Sequence, residues 1–235
     1  MEHILLLHGA IGAGVQLNDL AKGLNDKYHV SVIDFIGHGS KKMNSKPYSI
    51  PLFASDVLTF MQERKLEKIS IFGYSMGGYV AAYFASRYPE KVNNIITLAA
   101  KFHWDEQVAA KEIQMLNADK ITEKLPAFAK VLQDRHTAND WKEVLKKTVD
   151  MLLELGKDNT LKDTDYAGIA ARALLLLGDK DKMVSIDETL SVYKALPNAQ
   201  MCMLPAAPHP IEQVDVQMLS YVIDRFMTNT NQPAI

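Results

Sequence analysis

A parallel α/β sheet covered by helices on both faces, and interrupted by one block of helices, is the fold class this sequence predicts. Three observations carry it. Short apolar runs bounded by Gly, Asp or polar loops recur at residues 4–8, 29–34, 68–72 and 94–99. Helical patterns at 17–24, 53–64 and 76–87 fall between them, and strands alternating with helices imply parallel pairing. The alternation stops after Ala100 and resumes at 171–179 with "ARALLLLGD".

The later half adds a helix at 186–195, a strand at 199–204 and a last amphipathic helix from about 213 to 227. Residues 101–166 read instead as helices without strands, in "DEQVAAKEIQML", "DKITEKLPAFAKVLQD" and "DWKEVLKKTVDMLLELG". Asp105, Asp119 and Asp140 suit N-cap or first-turn positions, and Gly156 suits a C-cap stop. The expected organisation is a sheet domain of residues 1–100 and 167–228 with a helical cap, 101–166, inserted into it. The polar, proline-containing end, 229–235, is expected to be disordered.

At 235 residues the chain is long enough to bury a sizeable core. A net charge of -2 and a pI near 6.4 leave no electrostatic footprint for nucleic acid. Cys202 is the single cysteine, which excludes an internal disulfide and a thiolate metal cluster and fits a reducing compartment. In "AQMCML" it reads as a small residue of a buried strand. The start, "MEHILLLHG", lacks the basic region and the length of a signal peptide, and no segment is long enough to span a bilayer. A soluble cytoplasmic protein with neither a membrane nor a nucleic-acid partner is expected.

The chemistry is concentrated in "IFGYSMGGYV", residues 71–80. Gly73-Tyr74-Ser75-Met76-Gly77 matches G-x-S-x-G with a strand before it and a helix after it. A sharp strand-to-helix turn of this kind needs small flanking residues, because a Cβ there would clash. It would lift the Ser75 hydroxyl off the sheet edge and set the Met76 N–H at a helix N-terminus, where an oxyanion is stabilised. A glycine-flanked turn serine with no chemistry is the plainer alternative.

A serine hydroxyl needs a base to take its proton and an acid to orient that base. His209, in the loop "PAAPHPIEQ" after the strand at 199–204, lies at the carboxyl edge of the sheet, where sites of open α/β sheets gather. A histidine that merely caps the last helix is the competing reading. The strand "ALLLLG" empties into "DKDKMV", so Asp181 can reach inward at the same edge, although Asp179 lies two residues away. In "LLLHGAIGAG", Gly9 allows a sharp turn that aims the Ala10 N–H at the same point as that of Met76, giving two oxyanion donors.

Together these segments resemble the α/β-hydrolase family: "HGAIG" after the first strand, "DFIGHGS" after the second, "GYSMGG" at the nucleophile, "GDKDKMV" before the acid and "PHPIE" at the histidine. The resemblance spans nearly the whole chain in order. It implies a reduced α/β-hydrolase fold of about six parallel strands, since the strand carrying the His-Gly pair starts at the third residue rather than after a hairpin. It also favours Asp181, placed three residues after the strand-ending glycine. One departure is that Pro208 and Pro210 flank His209, where family members often have a preceding glycine, which implies a stiffer loop.

Other conspicuous residues read as structural. His8 is expected to brace the oxyanion turn by hydrogen bonds, and His38 to sit in the loop after the second strand; neither has ligand-spaced partners for a metal. His103 and Trp104 fit either a pocket wall or a buried interface, and Met115 and Met151 fit a helical core. The implied function is a serine hydrolase acting on a small, mostly uncharged acyl substrate, a carboxylic ester first, with no metal and no cofactor. The same triad could serve a lyase, a C–C hydrolase or a cofactor-free perhydrolase. A ligand-binding or signalling protein with negligible turnover is the alternative outside enzymes.

Overall fold

The computed structural model describes residues 1–229, so all of the expected tail but Asn229 lies outside the described residues. Six strands form one sheet: β1 (His3–Leu7), β2 (His29–Ile33), β3 (Ile69–Tyr74), β4 (Val92–Leu98), β5 (Arg172–Gly178) and β6 (Ala199–Leu204). Their order is β2-β1-β3-β4-β5-β6, and every neighbouring pair is parallel. The parallel pairing is what the alternation of strands and helices predicts, and the reduced count of about six strands is what the family resemblance implies.

Both faces of the sheet are dry, which is why the central strands are apolar almost throughout. Ile4, Leu6, Phe72, Ile96, Leu174 and Leu176 point to one face, where helices α1 (Asn18–Leu24) and α10 (Val216–Thr228) bring Leu20, Leu219, Ile223 and Phe226. Leu5, Leu7, Ile71, Ile95, Ala173 and Leu175 point to the other, against α2 (Ile50–Glu63), α3 (Met76–Arg87) and α9 (Ile186–Ala195). Each fully buried aliphatic or aromatic side chain contributes about 1.5–3 kcal/mol, more than any single helix cap at ~1 kcal/mol. The apolar stripes therefore decide where the helices lie, and the caps decide where they begin.

Between β4 and β5 the chain makes α4 (Glu106–Glu112), α5 (Ala118–Lys124), α6 (Pro126–Arg135), α7 (Trp141–Lys157) and α8 (Asp163–Ala167), with no strand. Trp141, Val144, Leu145, Thr148, Met151, Leu152 and Leu155 form the buried stripe of α7 at helical spacing. Ile121, Leu132, Trp141 and Leu145 make a small core of their own, against which Ile11 packs.

Several boundaries differ from the sequence reading. Helix α2 starts at Ile50, not 53, because Ser49 caps it by accepting from the Leu52 N–H and Pro51 fits the first turn. The single helix expected across "DKITEKLPAFAKVLQD" is two, broken at Leu125 before Pro126. Asp119 lies in the first turn of α5, whose cap is Asn117. Gly156 does not stop α7, which continues to Lys157. It sits inside because a Cβ there would come within 2.6 Å of the Ala109 Cβ. The last helix begins at Val216 behind the cap Asp215, and Ile211–Gln213 form a separate 3-10 turn. Asn229 is the C-cap of α10, and its carbonyl accepts from Arg172. Cys202 is only partly buried, since β6 is an edge strand. Among the described residues no helix is long and apolar enough to cross a membrane.

Candidate active site

The carboxyl ends of β1, β3, β5 and β6 bring Ala10, Ser75, Asp181 and His209 to one edge of the sheet. Ser75 joins β3 to α3 with φ 52° and ψ -118°, a backbone conformation costly for a residue with a side chain. Two observations show what holds it. Its N–H donates to the Leu98 carbonyl at 2.9 Å. The flanking glycines also let the chain fold back on itself: a Cβ on Gly73 would lie 2.2 Å from the Gly77 carbonyl oxygen, and one on Gly77 2.4 Å from that of Leu7. No other residue fits at either position, which is the physical content of the motif.

The Ser75 Oγ lies 3.2 Å from His209 Nε2, and His209 Nδ1 lies 2.8 Å from Asp181 Oδ2. The other carboxylate oxygen of Asp181 accepts from the amides of Met183, at 2.8 Å, and Val184, at 2.9 Å. Burial pushes the Asp181 carboxyl up, but the bonds from His209, Val184 and Met183 outweigh it and hold the pKa below the usual carboxylate value. An ionised Asp181 takes the Nδ1–H, so Nε2 is left to accept from the Ser75 hydroxyl. Asp179, the other acid considered, lies 3.2 Å from Lys180 instead.

The histidine loop is tied down on both sides. Tyr74 donates its hydroxyl to the His209 carbonyl at 3.0 Å. Pro210 leads into the turn that presents Glu212, whose carboxylate accepts from Gln16 at 2.7 Å and from Arg135 at 3.2 Å.

In the loop after β1, the residue with left-handed backbone is not Gly9 but Ile11, at φ 51°. Gly9 eases a close approach: a Cβ there would lie 3.1 Å from the Tyr74 ring and 3.2 Å from the Ser75 Cβ, so those side chains would have to give way. The turn closes with the Gly12 N–H donating to the Gly9 carbonyl at 3.1 Å. Ala10 sits within this turn, on the wall of the cavity that Ser75 and Met76 also line. As the first residue of α3, Met76 has an N–H with no carbonyl a turn before it to bond.

That cavity holds about 270 Å³ and reaches Ser75 and His209. Trp104, Leu116, Phe128, Met151, Leu152 and Leu155 enter its wall from the insertion. Trp104 is therefore on the pocket wall, and Met115 and Met151, expected as core, also border it, Met115 while half exposed. His103 lies outside this cavity, exposed beside Asp105. A wider hollow of about 620 Å³ shares Lys101, Met183 and Val184 with it but does not include Ser75.

The charges on the cavity wall are paired. Lys101 Nζ donates to the Met183 carbonyl at 2.7 Å and lies 3.5 Å from Glu112 and 4.0 Å from Glu188. Arg135 donates to Glu212 and, at 3.3 Å, to the Ile11 carbonyl.

His8 and His38 take the structural places expected of them. His8 donates from Nδ1 to the Gly9 carbonyl at 2.8 Å and accepts the Phe35 N–H on Nε2 at 3.1 Å. Burial lowers its pKa to about 4. His38 is fully buried, donates to the Ile36 carbonyl at 3.2 Å, and burial holds it well below the ordinary histidine value. Sequence reasoning did not single out Gln16, Tyr74, Lys101, Glu112, Arg135, His136 or Glu212. All but Glu112, which pairs with Lys101 in the same insertion, act through a partner far along the chain, so no local spacing announces them.

A family model described as alpha/beta hydrolase fold matches residues 2–135, more than half of the 235-residue chain. A Bacillus subtilis (strain 168) relative named "Putative 2-succinyl-6-hydroxy-2,4-cyclohexadiene-1-carboxylate synthase" is 25% identical across 97% of this chain and 91% of its own. Among solved structures, a thermophilic esterase from Thermogutta terrifontis matches with TM-score 0.78 at 20% identity, over 99% of this chain and 91% of that one. MenH from S. aureus matches with TM-score 0.79 at 20% identity, over 98% and 95%. At such identities the structural likenesses speak for the fold.

Proposed function

Since the chain belongs to the α/β-hydrolase fold family, we propose that it is a serine hydrolase cleaving a small, mostly uncharged carboxylic ester. The observation that carries this reading is the relay from Ser75 through His209 to Asp181, at 3.2 and 2.8 Å, opening into an apolar-walled cavity of about 270 Å³. His209 Nε2 takes the Ser75 proton as Oγ attacks the ester carbonyl. The oxyanion is met by the N–H groups of Ala10 and Met76, each such donor being worth about 10² to 10³ in rate. Asp181 holds the ring in the required tautomer and offsets the charge of the imidazolium.

His209 then returns the proton to the departing alkoxide, and an alcohol leaves. A water deprotonated by the same ring attacks the acyl-serine, releasing the acid and restoring Ser75. The inserted helices act as the cap: side chains of α4, α6 and α7 and of the segment around Leu116 close the cavity over the sheet edge and set which acyl groups fit.

The relative from Bacillus subtilis, named as a synthase and alike over almost the full chain, favours one second reading, in which His209 and Ser75 abstract a proton and drive an elimination. A carboxylate-bearing substrate for such a reaction would call for free cations in the cavity. Lys101 and Arg135 are both paired with carboxylates, which supports the neutral ester.

Intact-protein mass after treatment with a fluorophosphonate, followed by a panel of p-nitrophenyl esters, tests the proposal. A single adduct on wild type, absent in Ser75→Ala, with turnover of short neutral esters is expected. A well-folded wild type that neither labels nor turns over esters would sink it.

A further inference from the structure

His136 contributes nothing to the relay, yet both of its ring nitrogens are committed. It follows α6 as its C-cap and is 2% exposed. Its Nδ1 accepts the Gly39 N–H at 3.1 Å, which leaves the proton on Nε2, 3.0 Å from the Ile11 carbonyl oxygen. A carbonyl only accepts, and an amide N–H only donates, so the neutral Nε2–H tautomer is the one form that satisfies both neighbours.

The two ends of this bridge differ in kind. On the Gly39 side the chain is firmly stitched: Asn139 accepts the Met43 N–H at 2.7 Å and donates to the Lys41 carbonyl at 3.0 Å. On the Ile11 side it meets a β-branched residue at φ 51°, a conformation that persists only when its surroundings over-determine it. The turn that Ile11 completes, closed by Gly12 N–H to Gly9 O, contains Ala10. Relaxing Ile11 to negative φ would turn the Ala10–Ile11 and Ile11–Gly12 peptide planes and open the turn that holds Ala10 in place.

We infer that His136 is a positioning residue for the reaction, a cap-borne bridge that holds Ile11 left-handed and so keeps the Ala10 N–H aimed at the oxyanion. This rests on the ester-hydrolase reading for its effect on rate, though not for its effect on the loop. It makes the oxyanion loop complete only when the end of α6 is seated on the sheet domain. Arg135, reaching the same carbonyl at 3.3 Å and Glu212 at 3.2 Å, extends the link to the loop that carries His209.

Two substitutions separate the bridge's ends. In His136→Asn the side-chain oxygen replaces Nδ1 as acceptor for Gly39 but cannot reach Ile11. In His136→Gln the amide N–H replaces Nε2 as donor to Ile11 and the acceptor is lost. With p-nitrophenyl butyrate, His136→Asn is expected to lose about 10- to 100-fold in kcat with KM within about threefold, as a misaimed group does. His136→Gln is expected to stay within about threefold of wild type. Amide hydrogen exchange at Gly12 should accelerate in the first variant and stay slow in the second.

Equal losses in both variants, or unchanged Gly12 exchange in His136→Asn, would overturn the inference. The wild type alone offers a further decision should a variant not fold. Nitrogen-15 NMR of the imidazole is expected to show the Nε2–H tautomer at neutral pH, and an Nδ1–H tautomer would break the bridge. If wild type neither labels with fluorophosphonate nor hydrolyses esters, the hydrolase reading fails, while the exchange and tautomer results still decide what His136 holds.

Discussion

Lys101 and Glu112 face each other at 3.5 Å on the wall of the cavity that holds Ser75, both largely withdrawn from solvent. Two charges taken out of water persist only when each compensates the other. Here the compensation also fixes what a substrate meets, since the ammonium is already turned toward the carboxylate and the Met183 carbonyl. Glu188, the other acid near Lys101, is engaged by the amides of Phe102 and His103. Glu112→Gln is therefore expected to free the Lys101 charge toward the cavity. The check is kcat/KM for a neutral ester against the matching hemiester of a dicarboxylic acid. The hemiester should gain about tenfold, equivalent to ~1.4 kcal/mol, and the neutral ester should change little. An unchanged ratio would mean that Lys101 does not face the acyl group.

Asp181 and Asp179 sit two residues apart with different partners, so their amides should behave differently. Asp181→Asn is expected to lower kcat by about 10³- to 10⁴-fold, because an amide no longer dictates which ring nitrogen of His209 carries the proton. Asp179→Asn should leave kcat within about twofold, its partner being Lys180. Steady-state rates on one short neutral ester decide it, and comparable losses in both variants would be incompatible with the observed relay.

The strain at Ser75 is separable from its chemistry. Ser75→Ala and Ser75→Gly both delete the hydroxyl and its contact with His209, but only glycine is at ease at φ 52°. Strain of this kind costs about 1–3 kcal/mol, against ~0.5–1 kcal/mol of extra chain entropy for glycine in the unfolded state. Ser75→Gly should thus be more stable than Ser75→Ala by about 1 kcal/mol in urea denaturation, with both unlabelled by fluorophosphonate. A glycine variant less stable than the alanine one would show that the elbow stores no strain.

What could be read from the sequence is what leaves a local trace. The inner strands β1, β3 and β5 are legible because burial on two faces makes them nearly continuous apolar runs. The Ser75 turn is legible because its crowding leaves no choice but glycine at 73 and 77. The start of α2 had a local trace too, in Ser49 and Pro51, and the helical periodicity of its apolar residues masked it. Gly156 misled for the opposite reason: a glycine usually ends a helix, and here it admits Ala109. His136 has no local trace at all. Its meaning lies in Ile11 and Gly39, 125 and 97 residues away, which come together only when the end of α6 meets two loops of the sheet domain.

That meeting point also sets how the fold should respond to acid. His8, His38 and His136 lie within 5.1 to 5.7 Å of one another along a chain of ring contacts, all buried. Burial lowers all three, His8 to about 4 and His38 well below the ordinary histidine value of about 6.5. Arg135 lowers His8 and His136 further, while Asp34 opposes it. In the folded protein the rings therefore stay neutral at pH values where the unfolded chain has already bound protons. Their contribution to stability is complete above about pH 6.5 and is lost as the pH falls from there toward each folded value, near 4 for His8. Each ring that behaves this way weakens the fold as the pH falls through its window, and their mutual repulsion, His136 on His8 and both on His38, couples the three. Urea midpoints should fall steeply from pH 7 to pH 5. His38→Phe, which keeps a ring against Tyr48 and Phe53 and removes one titrating group, should flatten the slope. A midpoint independent of pH over that range would mean that the rings are protonated in the folded state as readily as in the unfolded one, and that burial does not govern them.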